Sequence, residues 1–233
     1  MRIVRAVAFA AVVVVLDHAA VAGGKAAAYH PVIDSQKFDA TVDNPYFPLP
    51  PGTVWAYEER QGKRVTLDSV TVTSQTRVVM GVRCVVVHDV ERTNGRVGED
   101  TYDCYAQDHD GNVWYFGEDT KEFHHDGTVS HAGSWEAGVR GAQPGVIMPA
   151  YPQPGAPYRQ EYLAGVAEDM GQIVAVGETV TVPHGSYRDC VRTKDWTPLE
   201  KGSEKKWYAR GVGVVRTEAT DGEVAVLVGM THP

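Results

Sequence analysis

Three two-residue hairpin signals recur in one stretch of the chain: Asn94-Gly95, Asp110-Gly111 and Asp126-Gly127. Asn-Gly and Asp-Gly supply the positive φ of a type I′ turn, so each predicts an antiparallel hairpin. The turns fall sixteen residues apart, which leaves strands of about fourteen residues, well beyond the usual five or six. Strands of that length must twist and coil, and they point to a barrel or a strongly curved sheet. Helical periodicity is absent from this half of the chain.

The same reading extends outward. Strands are expected over 53–60, 64–79, 82–93, 96–109, 112–125 and 128–135. After a break come 172–182, 187–197, 205–217 and 223–230, with turns at His184-Gly185 and Asp221-Gly222. The expected fold is all-β: an antiparallel meander of about ten strands forming a barrel or curved half-barrel. Residues 29–233 then make a single domain, which suits the 233-residue length. Prolines at positions 45, 48, 50 and 51 bar residues 43–52 from a central strand. They read as an extended strap whose Tyr46, Phe47 and Leu49 plug an edge or end of the sheet. Residues 136–171 are rich in Gly and Pro and form one long loop over an opening, with a short helix conceivable over 158–170.

Residues 1–28 have the form of an export signal. Arg2 and Arg5 precede an apolar run from Ala6 to Leu16, too short to span a bilayer, and small residues offer cleavage after Ala22 or Ala28. No cysteine follows the run to take a lipid anchor. The expectation is a soluble protein, secreted or periplasmic, with no stable membrane insertion. A net charge of −8 with scattered basic residues argues against nucleic acid as a partner. Export permits disulfides, and three cysteines leave at least one unpaired. A two-residue turn at Asn94-Gly95 places Cys84 and Cys104 on opposite faces, so they should not bond, whereas Cys190 could pair with either.

Two-residue turns also fix which side chains share a face. They set Tyr105 opposite Phe116, Asp103 opposite Glu118, Glu99 opposite Glu122, Glu122 opposite His131, and Glu118 opposite Trp135. His88 lies one strand away, opposite Thr101. One face then has an aromatic end, Tyr105, Trp114, Phe116 and Trp135, suited to lining a cavity for a small, largely apolar ligand. Its ionisable middle includes Asp103 and Glu118. Like charges across a ladder destabilise it unless water screens them, a proton is shared, or a cation intervenes. A proton-sharing Asp103/Glu118 pair could act as general acid and base in a hydrolase, isomerase or cyclase that needs no organic cofactor. His88, Glu122 and His131 could instead hold a divalent metal, or the protein could be a structural envelope component. No phosphate loop, dinucleotide fingerprint, Gly-x-Ser-x-Gly or Cys-x-x-Cys is present.

Pro48-Leu49-Pro50-Pro51-Gly52-Thr53-Val54-Trp55-Ala56-Tyr57 and Trp207-Tyr208-Ala209-Arg210-Gly211-Val212-Gly213-Val214-Val215 resemble segments of uncharacterised exported bacterial β-proteins. Some of these look like lipoprotein-carrier or lipocalin-type open barrels. The resemblance covers two short strands and is structural, resting on glycines that let strands cross and aromatics that plug an end. It implies a cavity for a hydrophobic ligand and transfers no catalytic residue.

Overall fold

The computed structural model describes residues 29–39 and 41–232. The export signal expected over residues 1–28 lies outside them. One antiparallel sheet of sixteen strands curves almost shut into a barrel. Its first half is built from five long or medium strands: β2 (Val54–Gln61), β3 (Arg64–Val79), β4 (Val82–Thr93), β5 (Arg96–Asp108) and β6 (Val113–Phe123). Its second half is β12 (Met170–Val182), β13 (Gly185–Trp196), β14 (Glu204–Ala209), β15 (Gly213–Ala219) and β16 (Val224–Thr231). β16 pairs with β2, which joins the halves.

The strand count exceeds the expected ten for two reasons. First, the stretch expected as one strand over 205–217 is a hairpin. Gly211 and Gly213 adopt φ of 74° and 97°, and Val212 N–H donates to Ala209 O at 3.1 Å. The glycines of the second family-like segment are therefore turn residues, where only a residue without Cβ takes positive φ freely. Second, the stretch expected as one strand over 128–135 is two short ones, β7 (Val129–Ser130) and β8 (Trp135–Glu136), and four more strands form where none was expected: β1 (Phe38–Asp39), β9 (Gln143–Met148), β10 (Tyr158–Arg159) and β11 (Glu161–Tyr162).

Residues 136–171 therefore complete the wall. β9 pairs with β6, β10 with β12, and β11 with β9, so residues 158–162 stitch together the two edges of the sheet. No helix forms over 158–170. At the seam, Gly145 lies so close to the neighbouring segment that a Cβ there would sit 2.5 Å from Arg159 O.

The proline-rich strap behaves as a plug. The Gln107 amide accepts from Asp43 N–H and Asn44 N–H at 3.0 and 2.8 Å, and Asn44 Nδ2 donates to Gly111 O at 2.9 Å. Thus fastened, the strap drives Phe47 and Leu49 into the barrel end, 6 % and 5 % exposed. Phe47 packs edge-on to Tyr105 at 5.2 Å. Tyr46 stays at the rim, beneath the Arg210 guanidinium.

Candidate functional site

Local irregularities decide which side chains enter the barrel. At Asn94-Gly95 the turn is the expected two-residue one, with φ of 53° and 76° and Thr93 opposite Arg96. A bulge between Glu91 and Arg92 then shifts the register by one, so Asp103 faces Val87 and His88 faces Tyr102. This moves Val85, Val87, Asp89 and Glu91 to the inner face and Cys84, Val86 and His88 to the outer one. Cys84 and Cys104 consequently share a face, contrary to the two-residue register. Both are buried and unbonded, as is Cys190. Burial pushes both thiols up, Cys104 to about 12.

At Asp110-Gly111 two deviations cancel. The hairpin closes on Asp108 and Asn112, a three-residue turn, and a second bulge lies between Cys104 and Tyr105. Beyond the bulge the expected pairs return: Asp103 opposite Glu118 and Glu99 opposite Glu122. Between turn and bulge, Tyr105 faces Tyr115, and Ala106 faces Trp114. The expected aromatic quartet therefore divides. Tyr105 and Trp135 line the interior with Tyr115, stacked on Tyr105 at 4.8 Å and edge-on to Trp135 at 5.3 Å. Trp114 and Phe116 turn outward, where Phe38 covers them at 6.2 and 5.5 Å.

The Asp126-Gly127 turn likewise closes as three residues, so Glu122 faces Ser130 rather than His131. His131 is exposed. His88 sits on the outer face, stacked on Tyr102 at 4.2 Å with Nε2 3.1 Å from Asp100. His88, Glu122 and His131 are thus not brought together. Among the described residues no group of three or more His, Cys, Asp or Glu is arranged to hold a metal.

The lining reads as rungs across consecutive strands. One runs Tyr57, Asp68, Glu91, Glu99, Glu122; the next Trp55, Val70, Asp89, Thr101, Thr120; a third Val72, Val87, Asp103, Glu118, Trp135. On the opposite wall Thr193 faces Lys206 and Asp195 faces Glu204. Thirteen carboxylic residues are buried among the described residues, against one lysine, Lys206, and no arginine.

Two constellations follow. In the first, Tyr115 O–H donates to Asp103 Oδ1 at 2.5 Å, and Thr120 Oγ1 donates to Glu118 Oε2 at 3.2 Å. Asp103 Oδ2 and Glu118 Oε1 are buried without a hydrogen-bond partner. Burial lifts the Asp103 carboxyl well above its usual range against the opposing Tyr115 hydrogen bond. Glu118 is raised by burial, then by Glu161, Asp103 and Asp169. Glu161 is raised in turn by burial and by Asp169. Burial also pushes Asp169 up to about 7 although the Thr197 hydroxyl and Lys206 oppose it. Close carboxyls in a low-dielectric interior cannot all ionise, so they hold protons at neutral pH.

In the second constellation, Lys206 Nζ lies 3.3 Å from Asp195 Oδ2 and 3.4 Å from Glu204 Oε2. Burial alone would lower the lysine, but Glu204 and Asp195 hold it above its ordinary value. Glu204 itself is pushed up to about 8, burial outweighing Lys206.

An apolar cleft opens at the plugged end, lined by Phe47, Leu49, Trp55, Tyr57, Val70, Val87 and Val214. Three of its lining residues are ladder neighbours of buried carboxyls: Val87 faces Asp103, Val70 faces Asp89, and Tyr57 faces Asp68.

Tyr115, Asp68, Asp89, Asp195, Glu204 and Lys206 were not singled out from sequence. Period-two alternation marks some of them, Thr193/Asp195 on β13 and Glu204/Lys206/Tyr208 on β14. Glu161 and Asp169 sit in the Gly/Pro-rich segment, where their charge, with that of Glu168 and Arg159, rather than any periodicity is the cue to a site; both are buried.

No family model matches the chain, and no curated protein matches it. Two solved structures are similar. One, from Bacteroides fragilis, is named as an exported protein with a YmcC-like fold: 18 % identity, 80 % of this chain and 99 % of that chain covered, TM-score 0.48. The other, from Parabacteroides distasonis, is named as a lipoprotein: 16 % identity, 83 % and 100 % covered, TM-score 0.45. Among the described residues no helix is long and apolar enough to cross a membrane.

Proposed function

We propose that this is an exported binding protein for a small molecule with a substantial apolar part, held at the plugged end of the barrel. The observation that carries this reading is the apolar cleft between the Phe47/Leu49 plug and the Trp55, Tyr57 and Val87 wall. Barrels commonly take one small ligand at such a mouth. Export rests on the arrangement of Arg2, Arg5 and the apolar run to Leu16. Native mass spectrometry of the protein purified from its own host tests the proposal. A retained small-molecule mass, lost when Trp55 is replaced by alanine, is expected; protein that is empty and takes up no apolar probe overturns it.

A second reading draws on the Tyr115–Asp103 contact, with Glu118 across the ladder. Asp103 and Glu118 would then serve as base and acid in a cofactor-free hydrolase, isomerase or cyclase. Asp103→Asn separates the two, abolishing turnover in an enzyme while leaving a purely apolar ligand bound.

A further inference from the structure

We infer that the ligand is an amphiphilic organic cation, its apolar part in the cleft and its protonated nitrogen facing the Asp103/Glu118 carboxyls. The inference rests on the binding reading above and specifies its ligand class.

The first observation is the juxtaposition of two unlike surfaces. The cleft is apolar, yet one of its lining residues, Val87, is the direct ladder neighbour of Asp103, which faces Glu118. The second observation is unmet hydrogen-bonding capacity. Asp103 and Glu118 are 0 % and 5 % exposed, and Asp103 Oδ2 and Glu118 Oε1 have no donor. Leaving such acceptors unsatisfied is costly, and an N–H donor carrying positive charge satisfies them best.

Third, the nearby walls are aromatic. Tyr105, Tyr115 and Trp135 form a contiguous group, with Phe47 on Tyr105. Ring faces attract weakly hydrated organic cations. Among the described residues no group of three or more His, Cys, Asp or Glu is arranged to hold a metal ion, so the carboxyls there offer a bare divalent cation no ready ligand set. Fourth, the buried counter-charge of the described lining, Lys206, is engaged on the opposite wall with Asp195 and Glu204. An anionic ligand would face the Asp103 and Glu118 carboxyls, while the one buried lysine of the described lining is already held by Asp195 and Glu204.

The inference has a proton balance. Carboxyls held protonated in the empty barrel must ionise to pair with an ammonium, so binding transfers a proton from the Asp103/Glu118 pair to solvent. The pair becomes a carboxylate–ammonium contact, and the released proton appears in the buffer.

Calorimetric titration of the full chain with decylammonium, decanol and decanoate below their aggregation concentrations tests this, in two buffers of different ionisation enthalpy. Decylammonium should bind at least tenfold more tightly than either companion, with proton release. Asp103→Asn and Glu118→Gln, each close in shape to the protonated acid, should weaken decylammonium at least tenfold and leave decanol unchanged. Equal binding of decanol, or tighter binding of decanoate, overturns the cation inference while the binding reading stands. Failure of all three probes to bind the folded protein overturns both. Calcium binding that excludes decylammonium overturns the inference in favour of a metal.

Discussion

Raising the pH from 5 to 6.5 should destabilise this protein, and two carboxyls with stated values set a lower bound on the effect, to which the raised Asp103, Glu118 and Glu161 add in the same direction. Asp169 is pushed up to about 7 and Glu204 to about 8, both chiefly by burial. Asp169 is faced by Thr197, Lys206, Asp195 and Glu161; Glu204 by Lys206, Asp195 and Thr217. In the unfolded chain both acids titrate near 4. A group whose folded pKa is raised contributes stability that is present in full below its unfolded pKa. That contribution disappears as pH rises through the folded value. Between pH 5 and 6.5 the folded state therefore keeps about two protons that the unfolded state has lost. Each proton gives a slope of about −1.4 kcal/mol per pH unit, so the pair accounts for a loss of about 4 kcal/mol. Lys206 stays charged throughout this window and adds no slope. The assay is urea unfolding followed by far-UV circular dichroism, at constant ionic strength, at half-unit steps of pH. Glu204→Gln supplies the control, because glutamine mimics the protonated acid and removes one proton; it should make the slope shallower by about 1.4 kcal/mol per pH unit. Stability that is flat or rises from pH 5 to 6.5 would refute the reasoning, as would an unchanged slope in Glu204→Gln.

Two further substitutions probe the wall and the ion cluster. Lys206→Met strands Asp195 and Glu204 without their 3.3 and 3.4 Å partner and should cost about 3–5 kcal/mol in urea unfolding at pH 7; a loss under 1 kcal/mol would show the lysine to be incidental. Gly145→Ala places a Cβ 2.5 Å from Arg159 O at the closing seam. It should cost about 1–3 kcal/mol and speed amide exchange over residues 158–162 more than over β2–β5, whereas uniform exchange would mean the seam is not where the barrel opens.

Much of the wall was legible in the sequence because long β-branched runs bounded by positive-φ turns have few other ways to fold. Asn94-Gly95 formed its two-residue turn, and Asp103/Glu118, Glu99/Glu122 and Glu118/Trp135 stand opposite each other as the turn arithmetic required. At Asp103/Glu118 agreement came through cancellation: a three-residue turn added one position and the bulge at Phe116–Gly117 removed it. Gly117 hosts that bulge with φ 144°, where an added Cβ would sit 2.5 Å from Trp135 O. No cue in a two-residue hairpin signal announces such a bulge, since bulges answer to sheet curvature rather than to local sequence. A single uncompensated one, beside Gly98, sufficed to send His88 and Cys84 to the outer face and Asp89 and Glu91 inward. The short strands β9 to β11 were hidden for a different reason. Their backbones are held by long-range pairing with β6 and β12, which overrides the local preference of a Gly/Pro-rich segment.

The acidic lining is hard to explain as a folding device. Barrel interiors of this kind can be filled with aliphatic side chains, and replacing buried charged groups by apolar ones of similar volume is often neutral or stabilising. The outer-face packing under Phe38 and the Phe47/Leu49 plug already supply aromatic and aliphatic burial. Asp103 and Glu118 add repulsion, unmet acceptors and a stability that weakens toward neutral pH. Each of these costs falls when a positive group enters from the cleft: repulsion becomes attraction, the acceptors gain donors, and ionisation becomes favourable. The feature that destabilises the empty barrel would thus favour the occupied one, and occupancy should flatten the pH dependence that the empty protein shows.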